Sequence, residues 1–363
     1  MSDCKERIVR PESLKAFCSE ALRKLRVPDE EAEITADVLV SADLRGVESH
    51  GVSRLPRYAK RLMNNWIRPE AKLTVRKETP VSLLVDAENS LGQVVAYRVM
   101  ELCIEKAKKS DIAFAAVGNS NHIGIAGYYA MMALKEDMIG LCMTNAWPLI
   151  VPTFGIEPIL GTNPMAFAIP TKHERPFVLD MATSVVPIGK MEVYRRHGKN
   201  VPVGWAIDES GEPAVDTETV MRCVYKTKCG GLLPLGGLEE TAGYKGYGLS
   251  LLVDILSGIL PCAAYGPHVG IPEDPKPSNI GHFLGAIDIK AFTSVDEFKD
   301  RMDIMIRSIR ASAKAKGQDR IYIHGEKEWE LEEQYRRTGI PLYLKVWENL
   351  RDLASQLRIE FPL

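Results

Sequence analysis

Several large classes of protein leave marks that this 363-residue sequence lacks. There is no surplus of positive charge: 46 Lys and Arg stand against 48 Asp and Glu, a net charge of −2. No nucleic-acid or acidic-membrane partner is therefore expected. No apolar run is long enough to span a bilayer, and the opening MSDCKERIVR has no apolar core of signal-peptide type, so a cytoplasmic protein is expected. The seven cysteines, at 4, 18, 103, 142, 223, 229 and 262, are odd in number, scattered and without a CxxC pair. Reduced thiols are the expectation, with no zinc site and no metal ligand assigned. A GxGxxG is also missing, and with it the Rossmann fingerprint. Walker A, HExxH and GxSxG do not occur either.

What is present is ordinary in bulk: 45% apolar and 26% charged residues, in a chain long enough for two or three substructures. Residues 11–26 read as an amphipathic helix with Leu14, Phe17, Cys18, Ala21, Leu22 and Leu25 on one stripe. A second helix opens at Pro28-Asp29 and runs to about Gly46. Leu73–Val75 and Val81–Asp86 alternate as strands, 92–110 is a long helix, and Ile112–Val117 is a short buried strand. Strand, helix, strand argues for an α/β fold. Met138–Thr144, Met165–Ile169, Phe177–Leu179 and His282–Ile289 are further strands. Gly243-Tyr-Lys-Gly-Tyr-Gly248 leads into an apolar helix over Leu249–Ile259, and 294–315 and 327–357 are mostly helical.

Polar clusters punctuate this pattern. The stretch Glu48-Ser-His-Gly-Val-Ser-Arg-Leu-Pro-Arg-Tyr58 spaces His50, Arg54 and Tyr58 at i, i+4 and i+8, so a helix there sets all three on one face, with Pro56 either in its first turn or breaking it. Arg54 offers a forked donor set for a carboxylate, and His50 can exchange a proton with an adjacent oxygen near neutral pH. The competing reading is a solvated helix face. His122 lies in a strand-to-helix loop with Gly118, Gly124 and Gly127, which would let backbone approach an anion such as a pyrophosphate. Asp180 closes a strand and is followed by Thr183 and Ser184, whose hydroxyls suit phosphate oxygens; an N-cap or Asx turn is the alternative. Lys245, in GYKGYG, either meets a phosphate or is solvated, its flanking glycines favouring contact with something large and flat. The basic run Arg195, Arg196, His197, Lys199 suits a 2′-phosphate or a solvated face.

Seven segments in order, ADLRGVESHGVSRLPRY, NSNHIGIAGYYA, MIGLCMTNAWP, ILGTNPMAFAIP, VLDMATS, GYKGYGLSLLVDILSG and HGEKE, resemble the malate/L-lactate dehydrogenase family of non-Rossmann type, and run from Ala42 to Glu328. That family includes sulfolactate and ureidoglycolate dehydrogenases and piperideine-2-carboxylate reductase. The resemblance implies a central cofactor domain flanked by a domain built from both chain ends, here 121–289 and 1–120 with 290–363. It implies reversible hydride transfer between NAD or NADP and a small 2-oxo acid, in a homodimer. By the same likeness His50 is the general acid/base, with His122 as the rival and Asp180 beside them. Arg54 grips the carboxylate, helped by Ser49 and Tyr58, with Thr162 and Asn163 nearby. The cofactor wall would comprise His122, Gly124, Asn145, Ala146, Gly161, Asp180, Met181, Ala182, Thr183 and Ser184. Tyr244, Lys245, Gly325, Glu326 and Lys327 would add contacts. Ile188 stands where many members carry Arg, so NAD against NADP stays open. A cyclic imino acid or ureidoglycolate-type substrate, and a non-catalytic dinucleotide binder, are the alternatives.

Overall fold

The computed structural model describes residues 6–271 and 273–362. β1 (Glu6–Val9) leads into α1 (Pro11–Lys24) and α2 (Asp29–Leu44). Pro11 opens α1 where its missing N–H is of no consequence, and Asp29, Glu30 and Glu31 put negative charge at the positive end of α2. Two single 3₁₀ turns, Glu48–His50 and Val52–Arg54, come before α3 (Leu55–Met63). The hairpin β2 (Thr74–Thr79) and β3 (Ser82–Asp86) is followed by α4 (Gly92–Ser110) and β4 (Ile112–Ser120). Then come α5 (Ala126–Met132), β5 (Met138–Thr144), β6 (Met165–Ile169) and β7 (Phe177–Met181). A small lobe follows, with α6 (Ile188–Arg196), β8 (Ala206–Ile207), α7 (Thr217–Arg222) and β9 (Gly231–Leu232). The chain ends with α8 (Gly243–Asp254), β10 (Ile280–Asp288), α9 (Val295–Ala311), α10 (Glu326–Thr338), β11 (Ile340–Tyr343) and α11 (Leu344–Leu357).

Seven strands form one mixed sheet in the order β2-β3-β4-β10-β5-β6-β7. Only β3 and β4 run parallel, with α4 as their crossover; every other pair is antiparallel. The α/β class is therefore right, through a single parallel pair. Side chains alternate between faces. Val117, Cys142 and Leu284 pack under α4 and α5, against Val99, Met100 and Tyr129. Met143, Met165 and Phe283 face the other way, against Val253 of α8.

Both chain ends share a separate core, in which Leu14, Phe17 and Leu39 pack with Ile340, Leu350 and Leu353. β1 and β11 pair antiparallel at its edge. These two four-residue strands have no sequence signal of their own. The expected boundary at 120/121 runs through the sheet, because β10 returns to pair β4 with β5 and ties residues 74–120 to 138–181. The small lobe has its own core of Leu149, Ile150, Val186, Met191, Val220 and Leu232, which the periodicity did not separate.

Other local differences have physical causes. Residues 48–58 are not one helix: Gly51, at ψ −149, breaks them into two turns before Pro56 enters the first turn of α3. α8 begins at Gly243, so GYKGYG is helical. A Cβ at Gly246 would sit 2.1 Å from the Leu235 carbonyl oxygen, and one at Gly243 would collide with that of Gly237. Those glycines admit the chain's own backbone. Arg195 is paired with Glu218, while the Arg196 side chain lies outside the described residues.

Candidate active site

Residues distant in sequence meet between the chain-end core and the small lobe. His50 and His122 stack with ring centroids 5.3 Å apart and planes 23° apart. Tyr58 Oη lies 2.7 Å from His122 Nδ1. Ser49 Oγ lies 2.8 Å from His50 Nδ1, and Arg54 Nε donates to the Ser49 carbonyl. Five residues expected to share a site thus do, although no continuous helix carries them. α6 closes over them: a Cβ at Gly189 would come within 3.5 Å of Ser49 Cβ, and Glu192 is near enough for its charge to favour the Arg54 cation.

The proton positions follow from the donors. The Gly124 N–H donates to His122 Nδ1 over 3.2 Å, so that nitrogen carries no proton. Tyr58 O–H then donates to it too, since burial pushes this phenol up to about 12. Neutral His122 therefore presents Nε2–H outward. His50 has only Ser49 at Nδ1, and its Nε2 has no partner among the described residues. Both imidazoles are held neutral. Burial, then the Arg54 charge, lowers His50 to about 4. Burial, then His50 and Arg54, pushes His122 well below the ordinary histidine range. These side chains are still partly accessible, as the floor of a cleft is: water reaches them while protein surrounds most of each ring. The Arg54 terminal nitrogens have no partner among the described residues, which leaves a fork for an anion.

The second group of expected residues gathers around β7. Asp180 Oδ2 accepts the Gly127 N–H at 2.7 Å, joining the His122 loop to β7. Asp180 is exposed at its outer side, yet desolvation by the protein around the carboxyl raises it to about 6, against the pull of that N–H and of Arg45. Thr183 N–H and Oγ1–H donate to the Thr162 carbonyl, and Leu235 N–H donates to that of Thr183. Ser184 Oγ is turned to the Val186 carbonyl. Met181 and Ala182 stay partly accessible between them. Beyond the Leu235 loop, Tyr244 and Lys245 are exposed on the first turn of α8, and Lys245 makes no ion pair among the described residues. Gly325 packs on Val178, and the Lys327 ammonium lies 4.5 Å from the Tyr322 ring.

Several expected contacts are instead spent internally. Asn145 is 1% exposed and binds Asp254, the Ala264 carbonyl and the Gly281 N–H. Asn163 is fully buried, accepting from Ala146 N–H and donating to Ser250. Gly161 fits closely under the Ala146 carbonyl. Glu326 is ion-paired with Arg310 and accepts the Ile323 N–H at 2.8 Å. The loop glycines follow the same rule. Gly124 (φ +80) abuts Val38, Gly127 abuts Asp180, and Gly118 abuts the Pro261 carbonyl. Their close approach is to the protein itself.

Sequence reasoning missed Asp43, which is buried beneath Gly51. It also missed His282, fully buried and bonded to Thr144 and Ser120. An Asp in the last turn of a helix, where its charge opposes the dipole, was the available signal for the first. Buried in the middle of an apolar strand, the second had none.

A neutral imidazole, a guanidinium fork without a partner among the described residues and a neutral N–H donor thus line one cleft. The malate/L-lactate dehydrogenase family model matches residues 9–351. The chain is 50% identical to the malate dehydrogenase of Pyrococcus horikoshii over 97% of its own length and 96% of that protein. It is 38% identical to the malate/(S)-sulfolactate dehydrogenase of Methanothermus fervidus, over 97% and 99%. The solved malate dehydrogenase of Entamoeba histolytica superposes with a TM-score of 0.94 at 37% identity, over 99% of this chain and all of that one. The chain belongs to the malate/L-lactate dehydrogenase family. It is an oxidoreductase acting on hydroxy acids, and membership implies a nicotinamide nucleotide as cofactor.

Proposed function

We propose that the protein is a cytoplasmic, homodimeric NAD- or NADP-dependent dehydrogenase interconverting a small 2-hydroxy acid and its 2-oxo acid, of malate, lactate or sulfolactate type. The observation that carries this reading is that His50 Nε2 and the Arg54 fork, both without a partner among the described residues, share one cleft. The fit of a dinucleotide rests on the wall around β7, and on exposed, unpaired Lys245 at the positive end of α8. When bound, the nicotinamide accepts or donates the hydride.

The protein's own part is positioning and proton transfer. Arg54 takes the carboxylate through its terminal nitrogens, while its Nε stays on the Ser49 carbonyl and fixes the fork. In the oxidation direction His50 Nε2 takes the proton of the 2-hydroxyl; Nδ1–H then donates to Ser49 Oγ. His122 Nε2–H is already protonated, so in its neutral form it donates a hydrogen bond to the same oxygen and does not act as base. The anionic substrate raises the pKa of His50 when it binds, which readies the imidazolium for the reverse direction. Asp180 holds the start of α5, and with it the His122 loop. The homodimer reading draws on an uncovered apolar stripe on α8 and the turn after it: Leu252 at 44%, Ile255 at 47% and Ile259 at 52% exposure. Light scattering giving the mass of one chain would refute it.

A panel of 2-oxo acids (oxaloacetate, pyruvate, sulfopyruvate) and a cyclic imino acid, assayed with NADH and with NADPH, tests the reading. Turnover of at least one open-chain 2-oxo acid is expected. Arg54→Ala should raise KM for the acid roughly 10²-fold, the loss of a charged bidentate pair, and an unchanged KM removes the clamp from Arg54. His50→Ala should lower kcat by roughly 10²–10⁴-fold. If only His122→Ala does so, the two histidines exchange roles.

A further inference from the structure

Asp43 stands in the last turn of α2 with 2% of its surface exposed. Its Oδ2 accepts the Val52 N–H at 2.8 Å, and a Cβ on Gly51 would lie 2.1 Å from its Oδ1. Only glycine fits over that carboxyl. Gly51 and Val52 are the joint between the two 3₁₀ turns: His50 precedes them and Arg54 follows. His50 N–H donates to the Val47 carbonyl at 2.9 Å, and Arg54 N–H to that of Gly51 at 3.0 Å. The side chains of Val52 and Leu55 are fully buried, so the joint cannot move outward without opening the core. We propose that Asp43 is a positioning residue that sets the base His50 and the carboxylate clamp Arg54 at their working separation, through its bond to Val52 and its contact with Gly51. The inference rests on the roles given to His50 and Arg54 above.

The groups facing this carboxyl are the buried Cys18 thiol from α1 and Glu48 from the first 3₁₀ turn. Neither is a cation. Burial first, and Glu48 second, push Asp43 up to about 8 against the Val52 N–H. At neutral pH it is an uncharged acid. Ionisation forces an unpaired charge under the joint, so the geometry of the site loosens on the alkaline side. In stability terms the raised value favours the folded state at low pH, and that contribution is lost as pH rises from the ordinary aspartate range towards 8.

The experiment compares the pH profiles of kcat/KM for wild type, Asp43→Asn and Asp43→Ala, with His50→Ala and Arg54→Ala alongside. Asparagine keeps the shape and the acceptor but cannot ionise. It should keep activity within about 3-fold at pH 7 and lack the alkaline limb near pH 8 that is expected of wild type. Alanine should lose kcat/KM by roughly 10²-fold, with kcat and KM both affected, as a shift of about 1 Å does elsewhere. If alanine abolishes folding, the asparagine profile alone decides. An asparagine profile that superposes on wild type, with its alkaline limb intact, overturns the inference while leaving the dehydrogenase reading in place. Wild-type activity in His50→Ala and Arg54→Ala overturns both.

Discussion

At the scale of single residues, the site separates two histidines that composition treats alike. The difference is one backbone amide, Gly124 N–H, which fixes the proton of neutral His122 on Nε2 and leaves His50 as the proposed base. Tyr58→Phe removes one of the two donors to His122 Nδ1, freeing the ring to flip or change tautomer. A fall in kcat of about 10-fold with little change in KM is expected, and an equal effect on both would point to substrate contact instead. His50 must be neutral to take a proton, and its lowered value of about 4 means that free enzyme keeps this form through mild acid. The kcat/KM profile for oxidation should therefore run flat from pH 7 down to about 5, without the limb near 6.5 that an exposed histidine gives. Ser49 came only with the family resemblance, whereas His50, Arg54 and Tyr58 were legible in the sequence because their spacing survives the change from helix to 3₁₀ turns. Asp43 was not, because its role depends on contact with the backbone of Gly51, which leaves no periodic trace.

At the scale of elements, glycine placement reports packing more than ligand approach. The start of α8 is pressed against the 235–238 loop so closely that Gly246→Ala should cost about 1–3 kcal/mol, the range for overpacking, read as a lower denaturant midpoint. The loop also donates to the wall around β7, through Leu235 N–H to the Thr183 carbonyl, so the same variant should weaken dinucleotide binding in a titration of nucleotide fluorescence. α10 is held on α2 by the nearly buried Arg45, which reaches Glu332 at 3.1 Å and lies 4.3 Å over the Trp329 ring. Glu332→Ala strands that cation and should cost about 1–3 kcal/mol; a midpoint equal to wild type would mean that the Trp329 face suffices. The long helices and the apolar strands were readable from period alone. β1, β11, β8 and β9 were not, being two to four residues long and defined only by their partners.

For the whole molecule, three neutral histidines, His282 fully buried and His50 and His122 partly so, couple stability to acid. His282 is lowered to about 3 and His50 to about 4 by burial, and His122 moves the same way. The unfolded chain protonates them near 6.5, so the folded state loses stability as pH falls from about 6.5 towards those values. Urea midpoints should decline between pH 7 and pH 4.5. His282→Asn, if it folds, should flatten that decline; an unchanged slope would assign the acid sensitivity to other groups.

The position of β10 has a consequence for synthesis. The strand between β4 and β5 is the last of the seven to leave the ribosome, roughly 5–20 s after β7 at ordinary translation rates. Until then the nascent chain holds two half-sheets, β2 to β4 and β5 to β7, each with an open inner edge of apolar strand. Open edges of that kind pair readily with other chains. Folding in the cell is thus exposed during that interval, and ribosome-associated chaperones that shield strand edges would act on this protein while residues 182–279 are being made.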